Sequence, residues 1–542
     1  MNIQQLQKLY ADSPQVAKLA KMIGKNGVKD VFLEGLLASS VPMVFSGLAK
    51  KVPATILFVL QDADEAGYFY HDLMQVMGNS SSPERGGAAH EAPHPEGEGG
   101  SVLFFPSSYR RAIKYGQKDA ASEILRTEVL SVMRNEKGAT SSCYIVTYPE
   151  ALAEMVVTRK QLDSRMLTLE IGQKANDEEL LQTLHEFGFQ EVDYVYEPGQ
   201  FALRGSILDI FSFSHEYPFR IDFFGDEIDS IRTFDVENQL SKERRSRVDV
   251  VPDLTASTTQ ERESLLKFLP DDTWLVFKDF DFVRETIERI YQEGFSSQAM
   301  TERLENATEV ERYQIEHEMQ RDSLIITGSQ LVADAEPFRK MHLGASSSKG
   351  RQEGVSFHIS PQPLYHKNFD LLVPALEDFL LKGYKLYVLA DSQKQIDRLK
   401  DIFKEKSGLG FEGVKNTLHE GFVDNDLRIC CFTDHQIFDR FHKYNLKSDK
   451  ARSGKVALTL KEIQQFEVGD YIVHVDHGIG RFGGLVRMPI SSPSGGGREG
   501  AFQEMIKITY QRGDCIYVSI HSLYKVSKYK SQENGEPPRL ST

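Results

Sequence analysis

The segment Tyr194–Asp235, YVYEPGQFALRGSILDIFSFSHEYPFRIDFFGDEIDSIRTFD, decides the fold because it combines a regular strand pattern with charges at fixed positions. Short apolar runs extend from Phe201 to Phe211 and from Ile221 to Phe224, as in strands. Turn signals break the pattern at Pro198-Gly199, Gly205-Ser206 and Gly225-Asp226, and the polar segment from Ser212 to Pro218 separates the two runs. The segment therefore predicts an antiparallel meander of hairpins.

Three charged residues of the predicted meander, Arg204, Arg220 and Asp222, are candidates for a docking surface. Successive side chains of a strand face opposite ways, so these residues can project from one solvated face while apolar residues cover a core on the other. Two interpretations remain open at this point. The charged face binds a partner, or its charges only keep a stable sheet soluble.

The amino-acid sequence of the predicted meander resembles that of a known protein family. The patterns Y-x-x-G-x-F-x-x-R-G-x-x-x-D-I-F and R-I-D-F-F-G-D-E-I-D-x-I-R-x-F-D resemble the second domain of the excision-repair protein UvrB and its counterpart in the transcription-repair coupling factors. The resemblance implies a surface for the damage sensor UvrA. Arg204, Arg220, Asp222 and Phe201 match its contact positions, and Ala202 replaces one basic position.

Composition limits the function classes. The chain has 542 residues, a net charge of -15, 40% hydrophobic residues and 26% charged residues, which indicates roughly three to five soluble domains. The negative charge disfavours a protein whose main task is to neutralise phosphates, so protein partners are expected first. No apolar stretch reaches membrane-spanning length, and residues 1–25 lack a signal-peptide core. We expect a cytoplasmic protein.

The four cysteines support the same compartment. Cys143, Cys430, Cys431 and Cys515 form no pair of C-x-x-C motifs with metal-site spacing, and Cys430-Cys431 lie in the strand-like run RICCF. They are expected to be reduced core residues. No metal site is predicted from them.

Residues 1–156 alternate strand-like runs with helical pattern, which predicts a parallel α/β sheet covered on both faces. Such sheets bind ligands beyond the carboxyl ends of their strands, here the loop from Gly35 to Ser40 after VFLEG. A phosphate loop needs a second Gly, and a Lys before the Ser or Thr, but neither accompanies Ser39 and Ser40. We interpret Gly35, Ser39 and Ser40 as a degenerate, non-functional phosphate loop in a P-loop-type body.

Acids follow the next strand, ILFVL, at Asp62, Asp64 and Glu65. They could be metal ligands, but without phosphate-binding residues we interpret them as acids of a helix N-terminus, favoured by the helix dipole. Residues 79–101 are rich in Gly, Pro and Ser and almost free of aliphatic side chains. This composition predicts a disordered surface insertion.

The remaining domain boundaries follow from composition and pattern. The meander module is assigned to residues 157–250, and residues 251–343 return to α/β pattern, which the resemblance places back in the first body. Residues 344–354 have linker composition. Residues 355–450 predict a small α/β domain; its segment GFVDNDLRICCFTDHQIFDR resembles the third domain of the coupling factors, and residues 451–462 form a basic linker.

Residues 463–530 contain short alternating strands and Gly-rich bends, which predict a small, Tudor-like β barrel. Its motif H-x-D-H, at His474, Asp476 and His477, places two ligands on one strand face and the third opposite, so no metal site is expected. V-G-D-Y-I-V-H-V-D-H-G-I-G-R-F resembles the CarD-like domain by which coupling factors hold the RNA polymerase β subunit. Leu485, Val486, Arg487, Met488 and Pro489 are the predicted gripping strand.

The resemblance to the amino-terminal part of the coupling factors covers nearly the whole chain. It implies a scaffold that binds stalled RNA polymerase and UvrA, while the family's ATP- and Mg2+-dependent DNA translocase lies in a part that this sequence lacks. The chain ends soon after the predicted barrel, so we expect a truncated, monomeric, non-enzymatic protein without a cofactor and with weak DNA binding at most. The alternatives are a nucleotide-dependent helicase, a damage-probing protein like UvrB, or a plain duplex-DNA binder.

Overall fold

The computed structural model describes residues 3–77, 101–109, 120–135, 141–295, 324–344, 353–440 and 468–528, with short gaps at 26, 216, 237–238, 253, 255–260, 407–409, 475–476, 490–501, 512–513 and 520–525. The predicted basic linker, and the predicted insertion apart from Ser101, lie outside the described residues. Among the helices that are described, none has the length and apolar composition to cross a membrane. The chain divides into two compact units, residues 1–167 with 249–446 and residues 168–248 with 447–542.

The helices of the described residues have these bounds in chain order: α1 Ile3–Ala11, α2 Pro14–Ile23, α3 Ser40–Ala49, α4 Ala63–Met77, α5 Ala120–Asn135, α6 Pro149–Ala153, α7 Arg159–Ser164, α8 Asp177–Glu186, α9 Leu265–Phe268, α10 Phe280–Phe295, α11 Gly328–Ala335, α12 Phe369–Leu381, α13 Gln393–Lys406 and α14 Asp434–Ile437.

The strands have these bounds: β1 Asp30–Glu34, β2 Thr55–Val59, β3 Ser101–Phe104, β4 Cys143–Thr147, β5 Val156–Val157, β6 Leu167–Glu170, β7 Gln190–Glu191, β8 Gln200–Arg204, β9 Ile207–Phe211, β10 Phe219–Phe224, β11 Glu227–Phe234, β12 Ser241–Arg245, β13 Arg247–Val250, β14 Arg262–Glu263, β15 Trp274–Phe277, β16 Arg339–Leu343, β17 Glu353–Ser356, β18 Ile359–Pro361, β19 Lys385–Leu389, β20 Glu412–Val414, β21 Phe422–Asp424, β22 Ile429–Thr433, β23 Tyr471–His474, β24 Gly478–Pro489, β25 Phe502–Thr509, β26 Cys515–Ser519 and β27 Val526–Lys528.

The first body is built on a seven-stranded sheet of order β17-β1-β16-β15-β2-β4-β3. Its neighbouring strands are parallel, and the central strands are buried throughout, as sheets covered by helices on both faces require. Strands β15 and β16, from beyond the meander, insert between β1 and β2, so the chain does return to the first body. Strand β17 joins the same sheet beside β1, although its residues fall in the predicted linker and the start of the next domain.

The meander prediction is confirmed. A six-stranded sheet has the order β12-β11-β10-β9-β8-β7, and its strands from β8 to β12 pair antiparallel with their neighbours. Alternation places Ile221 and Phe223 on the buried side of β10, while Arg220 and Asp222 lie on the other face.

Strands β18, β21, β22, β19 and β20 form the sheet of the third module, which has two differently covered faces. In β22, Cys430 and Phe432 pack with α12 and α13 residues, while Ile429 and Cys431 belong to the core of the first body. Strand β19 shows the same alternation. The first body therefore serves as the second cover of this sheet.

A five-stranded antiparallel sheet of order β26-β25-β24-β23-β27 forms the C-terminal module. Its small core contains Ile472, Phe482, Ile506 and Ile508. Strand β24 continues through Gly483-Gly484, where its register with β25 shifts between Phe482 and Leu485. Mixed α/β organisation with several sheets is thus observed, whereas closure of this last sheet into a barrel stays a prediction.

The cysteine prediction holds at three positions and is wrong at one. Cys143, Cys430 and Cys431 are buried and form no disulfide within the described part of the chain, and burial raises the pKa of Cys430 to about 12. Cys515 is exposed at the start of β26, because it stands at a hairpin end where its partner residue Thr509 also ends a strand.

A buried hydrogen bond links the first helix to the third module. The Tyr10 hydroxyl donates to Asp424 Oδ2 at 3.0 Å, and the carboxylate also accepts the backbone N–H groups of Asp426 and Leu427. Burial raises the pKa of both the Tyr10 hydroxyl and the Asp424 carboxyl. The bond fixes a polar pair where the surroundings are otherwise apolar.

We expect Tyr10→Phe to lower the free energy of unfolding by about 1–2 kcal/mol, because the substitution deprives a buried acceptor of a donor. Chemical denaturation measures the loss. Tyr384→Phe is the matched control: its hydroxyl bonds Asn425 at an exposed site, so its change should stay within about 0.5 kcal/mol. Equal losses in both variants would contradict the role given to Tyr10.

Candidate functional site

The charged face of the meander sheet is ordered in two rows. Register aligns Ala202, Asp209, Arg220 and Arg232 across four strands, and Arg204, Ile207, Asp222 and Ser230 form the next row. Residues two apart on a strand share a face, so both rows lie on the same side of the sheet. The structure thus brings the three predicted charged residues together.

The arginines of this face are not free, because they clamp a carboxylate that sequence reasoning had not singled out. Arg220 binds Asp209 with two parallel bonds, Nε to Oδ1 at 2.8 Å and Nη2 to Oδ2 at 2.9 Å, and Arg204 Nη2 donates to the same carboxylate. Asp209 is fully buried. Its hydrogen bond raises the pKa of the Arg220 guanidinium, and the Arg220 side chain is only 15% exposed.

The rings beside this cluster fix the arginines further. The Arg204 guanidinium lies 4.6 Å from the centre of the Tyr194 ring, and Arg220 lies 4.2 Å from that of Phe234. Asp222 is paired as well, with the Ser230 hydroxyl at 2.7 Å and with the Arg232 guanidinium. These charges hold the face in shape before any partner arrives.

Phe201, predicted to contact UvrA, lies on the opposite face. It is fully buried and packs edge-on against the His185 ring at 5.2 Å between centroids. Phe201 and Arg204 are three residues apart on one strand, and residues at that separation face opposite ways. The sequence therefore already implied that Phe201 lies on the other face. Ala202 is on the charged face but is covered by an apolar cluster with Val195 and Phe211.

Phe224 is the residue that sequence reasoning missed. It ends β10 at the Gly225 turn, and its side chain is 83% exposed. Phe224 is two residues from Asp222 on β10, so strand alternation places its side chain on the charged face. The same alternation places Phe201 on the opposite face. Tyr194, 45% exposed, borders the face beside Arg204. A large exposed aromatic residue next to ordered arginines is typical of a protein-binding surface.

The predicted gripping strand is the second half of β24. Residues 485–489 pair with 502–506 of β25 on one side, while β23 pairs only with residues 478–481. Among the described strands, none pairs with the other edge of residues 485–489. An extended segment with one open edge can accept a strand from a partner. Leu485 is 40% exposed.

The H-x-D-H motif behaves only partly as expected. His474 is buried on β23, but the His477 ring comes within 4.7 Å of its ring centre rather than pointing away. The reason is a tight turn at Gly478, which brings the two rings together. Asp476 lies outside the described residues.

The loop interpreted as a degenerate phosphate loop leads into α3, and two backbone donors at the start of this helix are already bonded. Ser40 N–H donates to the Leu37 carbonyl and Val41 N–H to that of Ala38, while the next residue, Pro42, has no N–H. Phosphate loops depend on such backbone donors. Gly35 has a positive φ, and a glycine is needed there for a reason unrelated to phosphate: a Cβ at this position would meet the Phe357 carbonyl oxygen at 2.0 Å.

The acids after ILFVL act at a helix N-terminus, as predicted. Asp62 Oδ1 accepts the N–H of Glu65 at 2.8 Å, and Asp64 and Glu65 lie in the first turn of α4. Glu65 additionally forms an ion pair with Lys278 at 3.1 Å.

Two sequence families match the chain at the modules just described. The UvrB interaction domain matches residues 167–255, and the CarD-like/TRCF RID domain matches residues 466–530. The transcription-repair-coupling factor of Bacillus subtilis is 21% identical over 94% of this chain. That of Staphylococcus aureus, strain bovine RF122, is 24% identical over 77% of it.

This chain is similar in sequence to these transcription-repair-coupling factors. The resemblance inferred from the meander and from the C-terminal motif is thereby confirmed. The alignments cover 46% and 39% of the length of these two coupling factors, so the chain spans less than half of the relatives that it matches. The module that carries the charged face is the one that matches the UvrB interaction domain.

The clamp on Asp209 makes Arg220 a structural residue of this domain. We expect Arg220→Ala to lower the free energy of unfolding by about 3 kcal/mol, because it leaves a buried carboxylate without its bidentate partner. Arg204→Ala should cost about 1 kcal/mol or less, since Arg204 is one-third exposed and Arg220 still binds Asp209. Thermal and chemical denaturation of both variants checks the ranking, and equal losses would contradict it.

Proposed function

We propose that this chain is a recruitment scaffold for transcription-coupled nucleotide excision repair. Its C-terminal module binds stalled RNA polymerase through the β subunit, and its charged meander face binds UvrA. The observation that carries the proposal is the presence of a UvrB interaction domain and a CarD-like/TRCF RID domain in one chain. A protein with both can join a halted transcription complex to the repair machinery.

The UvrA surface has a preformed polar part and an apolar anchor. Arg204 and Asp222 remain 33% and 22% exposed while their neighbours hold them in place, and Phe224 projects beside them. An anchor near ordered charges gains affinity because little side-chain entropy is lost on binding. Phe224 therefore replaces the buried Phe201 in the proposed contact set.

The polymerase surface is the open edge of β24 at Leu485, Val486, Arg487, Met488 and Pro489. Addition of a strand from the polymerase would satisfy backbone groups along this edge, and alternate side chains would select the partner. The exposed Leu485 supports an apolar contact there.

The scaffold is proposed to work without a nucleotide of its own. Two of the donors that would cradle a phosphate at α3 are bonded within the loop and a third position is a proline, which favours this proposal over a helicase or a damage-probing protein. ATP-driven translocation, if this protein takes part in it, belongs to the portion of the relatives that the chain does not span.

Phe224→Asp should weaken UvrA binding at least about tenfold, because a charge would replace the apolar anchor. Titration of the purified chain with UvrA measures the change, and circular dichroism confirms folding. Leu381→Asp is the matched control, since Leu381 is 87% exposed but lies in the third module. Unchanged affinity of Phe224→Asp would remove this face from the UvrA site.

Met488→Arg should weaken binding to the RNA polymerase β subunit at least about tenfold, because a long charged side chain would disturb strand addition at the open edge. Fluorescence anisotropy measures the affinity of the variant for the polymerase. Tyr517→Arg, at a 44% exposed position on β26, is the control on the opposite edge of the sheet and should bind normally. The reverse ranking would assign the polymerase to β26.

A further inference from the structure

The edge of the parallel sheet where a nucleotide would lie is occupied by a segment of the third module, residues 416–421, here called the closing loop. The N–H of Glu420 donates to Ser39 Oγ at 2.9 Å, and the N–H of His419 donates to Asp72 Oδ1 at 2.8 Å. Ser39 in turn donates its hydroxyl to the other oxygen of Asp72. The residue that remains from the phosphate loop thus binds a peptide backbone.

One face of α4 provides the rest of the receptor. Tyr68, Asp72 and Gln75 recur at helical spacing, and each contacts the closing loop. The Tyr68 and His419 rings stack with centroids 3.5 Å apart, and Asn416 Nδ2 donates to Gln75 Oε1 at 2.6 Å. Leu418 is fully buried in the core of the first body.

Asp72 and Ser39 are desolvated in this contact and hydrogen-bonded to each other and to the closing loop. Asp72 is 2% exposed and Ser39 is 2% exposed, so neither could be left without a partner cheaply if the loop withdrew. The third module holds the loop from its other side, since His435 Nε2 bonds the His419 carbonyl at 2.7 Å and Gly421 N–H donates to Gln436 Oε1. The loop is thus fixed between two layers.

We propose that the closing loop is a built-in ligand of the vacated nucleotide edge. Ser39 and Asp72 act as positioning residues that bind its backbone, exclude nucleotide, and make the first body and the third module one cooperative folding unit. The third-module sheet, which uses the first body as its second cover, depends on the same contact. This inference does not depend on which partners the two docking modules bind.

Amide hydrogen exchange of the full chain tests the proposal. In Ser39→Ala and in Asp72→Asn, the amides of His419 and Glu420 should exchange at least about tenfold faster. Ser39→Ala removes two linked hydrogen bonds, and Asp72→Asn replaces one of the two accepting oxygens by an NH2 group. Ser46→Ala is the matched control. Ser46 is a buried serine of α3, the helix that follows Ser39, and its hydroxyl bonds the Met43 carbonyl, so this variant should change the exchange rates of the closing loop by no more than about twofold. Loop exchange no faster in Ser39→Ala and Asp72→Asn than in Ser46→Ala would overturn the proposal.

A second arm uses ATP with Mg2+. Unchanged loop exchange in the wild-type chain at millimolar ATP is expected and supports an edge closed to nucleotide. Faster exchange of residues 416–421 on adding ATP would mean that nucleotide displaces the loop, and would overturn the exclusion of nucleotide. The affinities for UvrA and for RNA polymerase are also measured on Ser39→Ala. Both should stay at the wild-type value, so a failure of this proposal can be told from a failure of the scaffold function.

Discussion

The need to cover both faces of every parallel strand shapes the first unit. Strands β19 and β22 alternate between two apolar cores, one formed with helices of the third module and one formed with the first body. A sheet of this kind exposes a full apolar face when its cover is removed, which water penalises by roughly 25 cal/mol for each Å2. The third module is therefore held by burial first, and polar contacts such as Tyr10 to Asp424 set its position.

Internal carboxylates are satisfied by the chain itself in three places. Asp209 is clamped by two arginines, Asp72 binds Ser39 and the closing loop, and Glu154 accepts the Ser108 N–H at 3.0 Å beside Arg126. Each arrangement is the kind that could hold an anionic ligand if the carboxylate were absent. Here the acid already fills the position, so the donors serve folding and shape rather than ligand capture.

Sequence pattern predicted those features that depend on neighbours along the chain. Alternation gave the meander, the placement of Arg204, Arg220 and Asp222 on one face, and the helix N-terminus at Asp62. Alternation also places Phe201 on the buried face of the sheet and Phe224 on the charged face, although resemblance to a known contact set pointed to Phe201. The interpretation of Gly35, Ser39 and Ser40 as a degenerate phosphate loop stays a prediction.

The closing loop could not be found this way, because 381 residues separate Glu420 from Ser39 and no periodicity connects them. The clamp on Asp209 depends on strand register, which a pattern of single strands leaves open. Strand β17 was divided between the predicted linker and the start of the next domain, because the linker composition runs to Gly354, yet the edge of the body sheet pairs with all four of its residues through backbone bonds that are insensitive to side chains.

Pro42 limits what substitution could make of the loop before α3. A proline at the third position of α3 breaks no hydrogen bond of the helix, since that N–H has no partner within the helix, but it removes a donor that an anion at the helix N-terminus would use. Adding a lysine and a glycine to the loop would therefore not suffice to bind a phosphate group. The proline and the segment lodged against Ser39 would have to change as well, so an anion site at this helix requires several substitutions at once.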